Sequence, residues 1–213
     1  MIRDPLARIA ARLWRGVIVR GAPGGVYLTF DDGPDPATTS KLLARLDELE
    51  CRATFFLTGA LAERNPELVR AVHRSGHVVA SHGFDHRPLT FASLRTARED
   101  LARSLAVLSD LIGSRPRLYR PPFGRLSTGL LKAARELELT IALWAVNPAD
   151  YRAADPARIT RRVVRAARPG DIVLLHDRPS TAPRTLAALP LIVRGLREKG
   201  LDPKPLESTR AGR

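Results

Sequence analysis

The stretch Val26-Tyr27-Leu28-Thr29-Phe30-Asp31-Asp32-Gly33-Pro34 is an uncharged, mostly apolar run closed by two carboxylates and a turn. Such a run suits a strand covered on both faces, as parallel strands are. A helix-like stretch from Thr38 to Glu50 follows, and the same alternation continues along the chain. Ala53 to Thr58 is the next strand. A helix from Pro66 to Ser75 has proline in its first turn and Gly76 as its stop. His77 to Ser81 is a third strand. Ser93 caps a long helix to about Ile112, with Gly113 after it. Leu118 to Arg120 is a short strand, Thr128 to Leu137 a helix, and Thr140 to Val146 a strand. Asp155 and Pro156 open another helix as N-cap and first residue. Asp171 to His176 is a strand, and a last helix runs from Thr185 to Lys199 with Pro190 starting or kinking it. The tail after Asp202 is expected to fray. Alternating strands and helices predict a parallel sheet wrapped in helices, with six strands and room for a seventh near the end. A barrel and an open sheet satisfy this pattern equally.

The 213 residues suit one domain, and 44% hydrophobic with 27% charged residues place the chain in the globular class. Aromatic residues make up 5%, too few for a surface that stacks bases or long sugar chains. Cys51 is the single cysteine, so no internal disulfide forms; beside the apolar Ala53 to Leu57 it reads as a small buried hydrophobe. The net charge of +13 comes from 35 basic residues, of which only Lys41, Lys132, Lys199 and Lys204 are lysines. The arginines are dispersed along helical segments without a dense run, which favours a solvated surface over nucleic-acid binding. Attraction to an anionic membrane or an acidic substrate stays open. Ile2, Leu6, Ile9, Leu13 and Trp14 recur near helical spacing between arginines. That segment can lie on an anionic membrane or pack on the domain, and packing is the favoured reading. No secretory signal and no membrane-spanning run is evident, so the expected location is the cytoplasm or the inner face of the membrane. Nothing in the sequence specifies an oligomer.

Polar clusters fall where strands end, and in a βα architecture those ends share one rim. They are Asp31-Asp32-Gly33-Pro34, His82 with His86, Arg120-Pro121-Pro122-Phe123-Gly124, Asn147 with Asp150, and His176-Asp177. The His-x-x-x-His spacing is expected to bring both imidazoles to one side of a helical turn, as two nitrogen ligands for one ion. The same spacing in His73 and His77 is read as structural, because Gly76 ends the helix between them. Asp31 and Asp32 leave a buried strand on opposite sides, so one can bind a metal while the other faces a water. Two carboxylates beside an apolar strand need a compensating cation. Two neutral histidines and one carboxylate leave open positions on the metal, which lowers the pKa of a bound water toward about 7. The second carboxylate then takes its proton, and His176 can serve as the acid for a leaving group.

Thr29-Phe30-Asp31-Asp32-Gly33-Pro34 resembles the first motif of the polysaccharide deacetylase family, also called the NodB homology domain or carbohydrate esterase family 4. Ser81-His82-Gly83-Phe84-Asp85-His86 resembles the second. Tyr119-Arg120-Pro121-Pro122-Phe123-Gly124, Trp144 to Tyr151, and Ile172 to Asp177 resemble the third to fifth. The resemblance implies a single-domain, distorted (β/α) barrel of about seven strands. Residues 1–22 would form an N-terminal amphipathic segment, 23–203 the catalytic domain and 204–213 a C-terminal tail. It implies metal-dependent removal of an N-acyl group, most often acetyl, from amino sugars of a polysaccharide, oligosaccharide or carrier-linked glycan such as cell wall. By resemblance Asp32, His82 and His86 hold the ion, zinc before cobalt, nickel or iron. Asp31 is the general base, oriented by Arg120. The backbone N–H of Phe123 helps stabilise the oxyanion, His176 protonates the departing amine and Asp150 tunes it. Leu174 lines the pocket for the acyl methyl, and Tyr151 shapes the groove wall. A deformylase or amidase of a lipid-linked or small substrate is the alternative, and an inactive glycan-binding module a distant one. Three positions depart from the family pattern: Gly83 for Ser or Thr, Asn147 for Asp, and Tyr151 for Trp.

Overall fold

The apolar runs become strands whose residues alternate between a barrel interior and a surrounding layer of helices. The structure is a computed structural model that describes residue 9, residues 11–152 and residues 155–207. The elements are β1 (Val17–Ile18), β2 (Val26–Asp31), α1 (Thr39–Glu48), β3 (Thr54–Leu57), α2 (Gly59–Arg64), α3 (Pro66–Arg74) and β4 (Val78–Ser81). They continue with α4 (Leu94–Ile112), β5 (Leu118–Tyr119), a 3₁₀ turn (Pro122–Gly124), α5 (Thr128–Glu136) and β6 (Thr140–Ala142). The last are α6 (Pro156–Ala166), β7 (Ile172–His176), α7 (Ala182–Glu198) and β8 (Pro203–Lys204). The strand order is β1-β6-β5-β4-β3-β2-β7, with β8 also on β2, and every paired strand is parallel.

The sheet closes on itself. Val146 bridges Val173 in parallel, and Leu174 donates its N–H to the Val146 carbonyl at 3.0 Å. The chain after β6 therefore reaches β7, and the expected barrel is the architecture found. The expected strand from Thr140 to Val146 is broken at Leu143 and Trp144. The reason is Arg120, whose Nε and Nη2 donate to the carbonyls of Ala142 and Leu143 at 2.8 and 3.1 Å. A buried guanidinium takes acceptors that a ladder would have used.

Period-two alternation sorts the side chains. Val26, Leu28 and Phe30 of β2 join Phe55, Val173 and Leu175 in the layer under the helices, while Tyr27 joins Phe56, Leu118, Ile172 and Leu174 in the interior. Helix ends follow their local signals. Ser93 accepts from the Thr96 N–H and Gly113 caps the other end at φ 68°. Asp155 accepts from the Ala157 N–H before Pro156.

Three expectations change. Among the described residues the count is eight strands, because β1 and β8 are two residues each and too short to show as runs. The tail does not fray directly after Asp202: β8 pairs with β2, and the buried Leu206 donates its N–H to Thr54 Oγ1 at 2.8 Å. Residues 1–8 and 10 of the N-terminal segment and 208–213 of the tail lie outside the described residues. Of the rest, Ile9 and Leu13 keep 51% and 66% of their surface exposed, so the favoured packing is not found for these two. Cys51 is buried, and burial pushes its thiol up to about 11.

Candidate metal centre and active site

Strand register fixes the first two functional groups. Asp31, the last residue of β2, pairs with His176, the last of β7, and alternation points Asp31 inward with Tyr27 and Thr29. Asp31 Oδ1 accepts from Arg120 Nη1 at 2.6 Å, and the same nitrogen reaches Thr29 Oγ1 at 2.7 Å. Arg120 is wholly buried and lies over the Phe56 ring at 4.0 Å. Burial works against its charge, but the Asp31 carboxylate, the hydroxyl and two carbonyls accept four hydrogen bonds from it.

The two aspartates do not diverge as expected. Asp32 takes a left-handed conformation, φ 77°, which turns its carboxylate back toward the side Asp31 faces. Asp31 Oδ2 lies 3.8 Å and Asp32 Oδ1 3.4 Å from His82 Nε2. His86 Nε2 is 3.0 Å from the same Asp32 oxygen. The two histidines converge without a helical turn, since residues 82–86 form a loop after β4. Positive φ at Gly83 (81°) and His86 (57°) curls that loop, so the imidazole centroids stand 5.0 Å apart.

Ligand atoms of Asp32, His82 and His86 all lie within 4.8 Å of one another, and these residues could hold a metal ion. The chemistry of the set fits one. His82 Nδ1 lies 2.8 Å from the Arg120 carbonyl, which can only accept, so Nδ1 carries the proton and Nε2 presents its lone pair. Two imidazole nitrogens and one carboxylate suit a zinc-type ion with positions left open. Burial opposes the charge on Asp32, yet the two imidazoles facing its Oδ1 outweigh it and hold its carboxyl well below the usual range.

On the neighbouring strand to Asp31, His176 Nδ1 hydrogen-bonds Asp150 Oδ1 at 2.8 Å. Asp150 also accepts from the His176 N–H, the Tyr151 N–H and Thr185 Oγ1, and is fully buried. Asn147 builds the turn that returns Asp150 to this place, accepting from the Ala149 N–H at 2.9 Å. The Tyr151 ring stands edge-on to His176 at 5.4 Å, and the Phe123 ring meets His86 at 5.0 Å. Phe123 is left-handed, φ 59°, and its N–H has no partner among the described residues. Leu174 and Trp144 are buried together in the barrel interior.

The structure thus brings together Asp31, Asp32, His82, His86, Arg120, Phe123, Asp150, Tyr151 and His176, with Leu174 in the interior. It also gives parts to residues to which the sequence assigned no role. Thr29 shares Arg120 with Asp31, and its position two residues before Asp31 was the available signal. Asp177 is buried, accepts from the Thr38 and Thr39 hydroxyls at 2.6 Å each, and excludes any side chain at position 33, where a Cβ would come within 2.7 Å. Arg178 Nε lies 3.4 Å from Asp32 Oδ2. Asp100 accepts from the Phe84 N–H. His77, read as structural, is buried on the far side at the start of β4. It accepts from the Ala53 N–H, and burial lowers its pKa to about 4.

Residues 19–142 match the family described as polysaccharide deacetylase. A peptidoglycan-N-acetylglucosamine deacetylase of Bacillus cereus is 34% identical over 176 residues, covering 82% of this chain and 64% of that protein. This chain therefore spans somewhat less than two thirds of that relative. A chitooligosaccharide deacetylase of Bradyrhizobium is 33% identical over 193 residues, covering 85% of this chain and 88% of the other. The crystal structure of the Bc1960 peptidoglycan N-acetylglucosamine deacetylase superposes with a TM-score of 0.84 at 32% identity, covering 88% of this chain and 89% of that one.

Proposed function

The chain belongs to the polysaccharide deacetylase family, and from that premise we propose that it hydrolyses the N-acetyl group of amino sugars in a glycan. The observation that carries the reading is the meeting of two aspartates with two histidines: Asp31 and Asp32 from the end of β2, His82 and His86 from the loop after β4. Asp32, His82 and His86 would hold the ion, and zinc is the ion we assign. When bound it supplies Lewis acidity toward water and the amide carbonyl.

The chain's own groups divide the remaining work. Asp31, held by Arg120 at 2.6 Å, takes the proton of the attacking water. The N–H of Phe123 donates to the oxygen that gains charge as the carbonyl carbon becomes tetrahedral. His176 gives its proton to the departing amine, with Asp150 fixing the tautomer and favouring the charged ring. Leu174 and Trp144 offer an apolar wall for the acetyl methyl, and Tyr151 flanks the sugar.

The test is a panel of N-acetylated and N-formylated sugars, free and carrier-linked, with released acid measured before and after metal is stripped. Acetate release is expected with metal and none without it. Asp31→Asn should retain the ion and lose about 100-fold or more in rate. Normal turnover by Asp31→Asn would remove it as the base, and formate in place of acetate would move the chain to a deformylase. Contact of the N-terminal segment with an anionic membrane is also part of the reading. It is supported by exposed Ile9, Leu13 and Trp14 beside Arg12 and Arg15.

A further inference from the structure

Asp177 follows His176 at the end of β7, is wholly buried, and makes no ion pair among the described residues. A buried carboxylate is costly unless hydrogen bonds hold it. Here Oδ1 accepts from the Thr38 hydroxyl and Oδ2 from the Thr39 hydroxyl, at 2.6 Å each. Burial raises its pKa to about 6, so it accepts both bonds as a carboxylate at about pH 8. Thr38 is the N-cap of α1, yet its side chain caps no helix N–H. The helix forgoes the bond that a threonine at this place ordinarily supplies, and the hydroxyl goes to Asp177 instead.

The same residue grips the chain on both sides of Asp32. Before it, the Asp177 N–H donates to the Asp31 carbonyl at 2.7 Å. After it, a Cβ on Gly33 would come within 2.7 Å of Asp177 Oδ2, so the chain lies directly on that oxygen. The turn then closes around the two hydroxyls. Thr39 Oγ1 accepts from the Asp35 N–H at 2.7 Å, and the Asp35 carbonyl accepts from the Thr38 and Thr39 N–H groups at 3.2 and 2.9 Å. The Gly33 carbonyl is held from the other flank by the Thr58 N–H at 2.9 Å. Asp32 sits between these grips with φ 77°. A left-handed aspartate is strained, and it lasts only where its surroundings enforce it. That conformation is what aims its carboxylate at His82 and His86. At ordinary strand angles, alternation would send it to the side away from Asp31.

Resting on the reading of Asp32, His82 and His86 as metal ligands, we propose that Asp177 is a positioning residue for the metal centre. Through Gly33, Thr38 and Thr39 it holds Asp32 in the left-handed conformation, and so sets how tightly the ion is bound. It acts through Asp32 and is not a ligand itself.

The experiment titrates zinc into the metal-stripped protein against a competing chelator at about pH 8, and records the visible spectrum of the cobalt-loaded protein. Asp177→Ala should bind zinc about 10- to 100-fold more weakly, the range for residues that orient ligands. The pair Thr38→Val with Thr39→Val keeps both side-chain shapes, removes both hydroxyls, and should weaken binding in the same direction. Its cobalt spectrum should shift, because the carboxylate no longer meets the ion as before. The pair Thr38→Ser with Thr39→Ser restores the hydroxyls and should restore affinity and spectrum. Leu206→Ala, at the other end of the barrel, tests lost stability alone and should leave both readouts unchanged. Where Asp177→Ala does not fold, the threonine pairs decide. Wild-type affinity and spectrum in the valine pair, or an equal loss in Leu206→Ala, overturns the inference and leaves the deacetylase reading standing. A wild-type protein that binds no zinc overturns both.

Discussion

His176 shows how one residue acquires its chemistry from its neighbours. Burial works against the charged ring, but the hydrogen bond and charge of Asp150 outweigh it and raise its pKa above 6.5. A raised pKa keeps the ring protonated further into the alkaline range, so the alkaline limb of kcat/KM lies above pH 6.5. Asp150→Asn keeps the shape and removes the charge. That limb should move to lower pH, and the rate at neutral pH should fall by about 10- to 100-fold. A pH–rate profile checks this, and an unmoved limb would remove Asp150 from the acid's support. Most of the groups at this scale were legible as residue types in order along the chain. Arg178 was not, because one arginine among many carries no signal until Asp32 is placed beside it.

At the scale of elements, the loop after β4 matters most, since it carries both histidines. Gly83 lacks the hydroxyl that the family pattern places there, yet the loop is braced from α4. Asp100 accepts from the Phe84 N–H at 3.1 Å, and Ser104, one turn later, hydrogen-bonds Ser81 at 2.8 Å. A Cβ on Gly83 would come within 3.1 Å of the same Asp100 oxygen, so the glycine and the carboxylate fit as a pair. Asp100→Ala should weaken metal binding by about tenfold or more, because the residues that orient ligands set their affinity. Asp100→Asn keeps an acceptor oxygen and should retain most of it. Titration against a competing chelator measures both, and equal affinity in Asp100→Ala would show that the loop holds itself. The spacing of the histidines was legible, but the means of convergence was not. A helical turn and a curled loop place residues four apart equally well, and only φ at Gly83 and His86 separates them.

For the whole molecule, closure is the deciding event. β8 returns to β2, and Leu206 fills the barrel end beside Tyr27 with its N–H on Thr54. Leu206→Ala should cost about 3 kcal/mol, as removal of a buried leucine leaves a cavity. Denaturant unfolding would show it, and a loss within error would mean that the barrel end does not depend on this plug. The sequence alone determined the alternation of strands and helices, the rim on which polar strand ends gather, and the residue types able to grip an ion. Those follow from local period and composition, which each segment carries by itself. Only the tertiary structure decided that the sheet closes rather than lies open. It also decided that both aspartates face one point, that Arg120 breaks β6 to reach Asp31, and that Arg178 comes to Asp32. These depend on contacts between residues far apart in the chain, and no local pattern encodes a distance across a barrel.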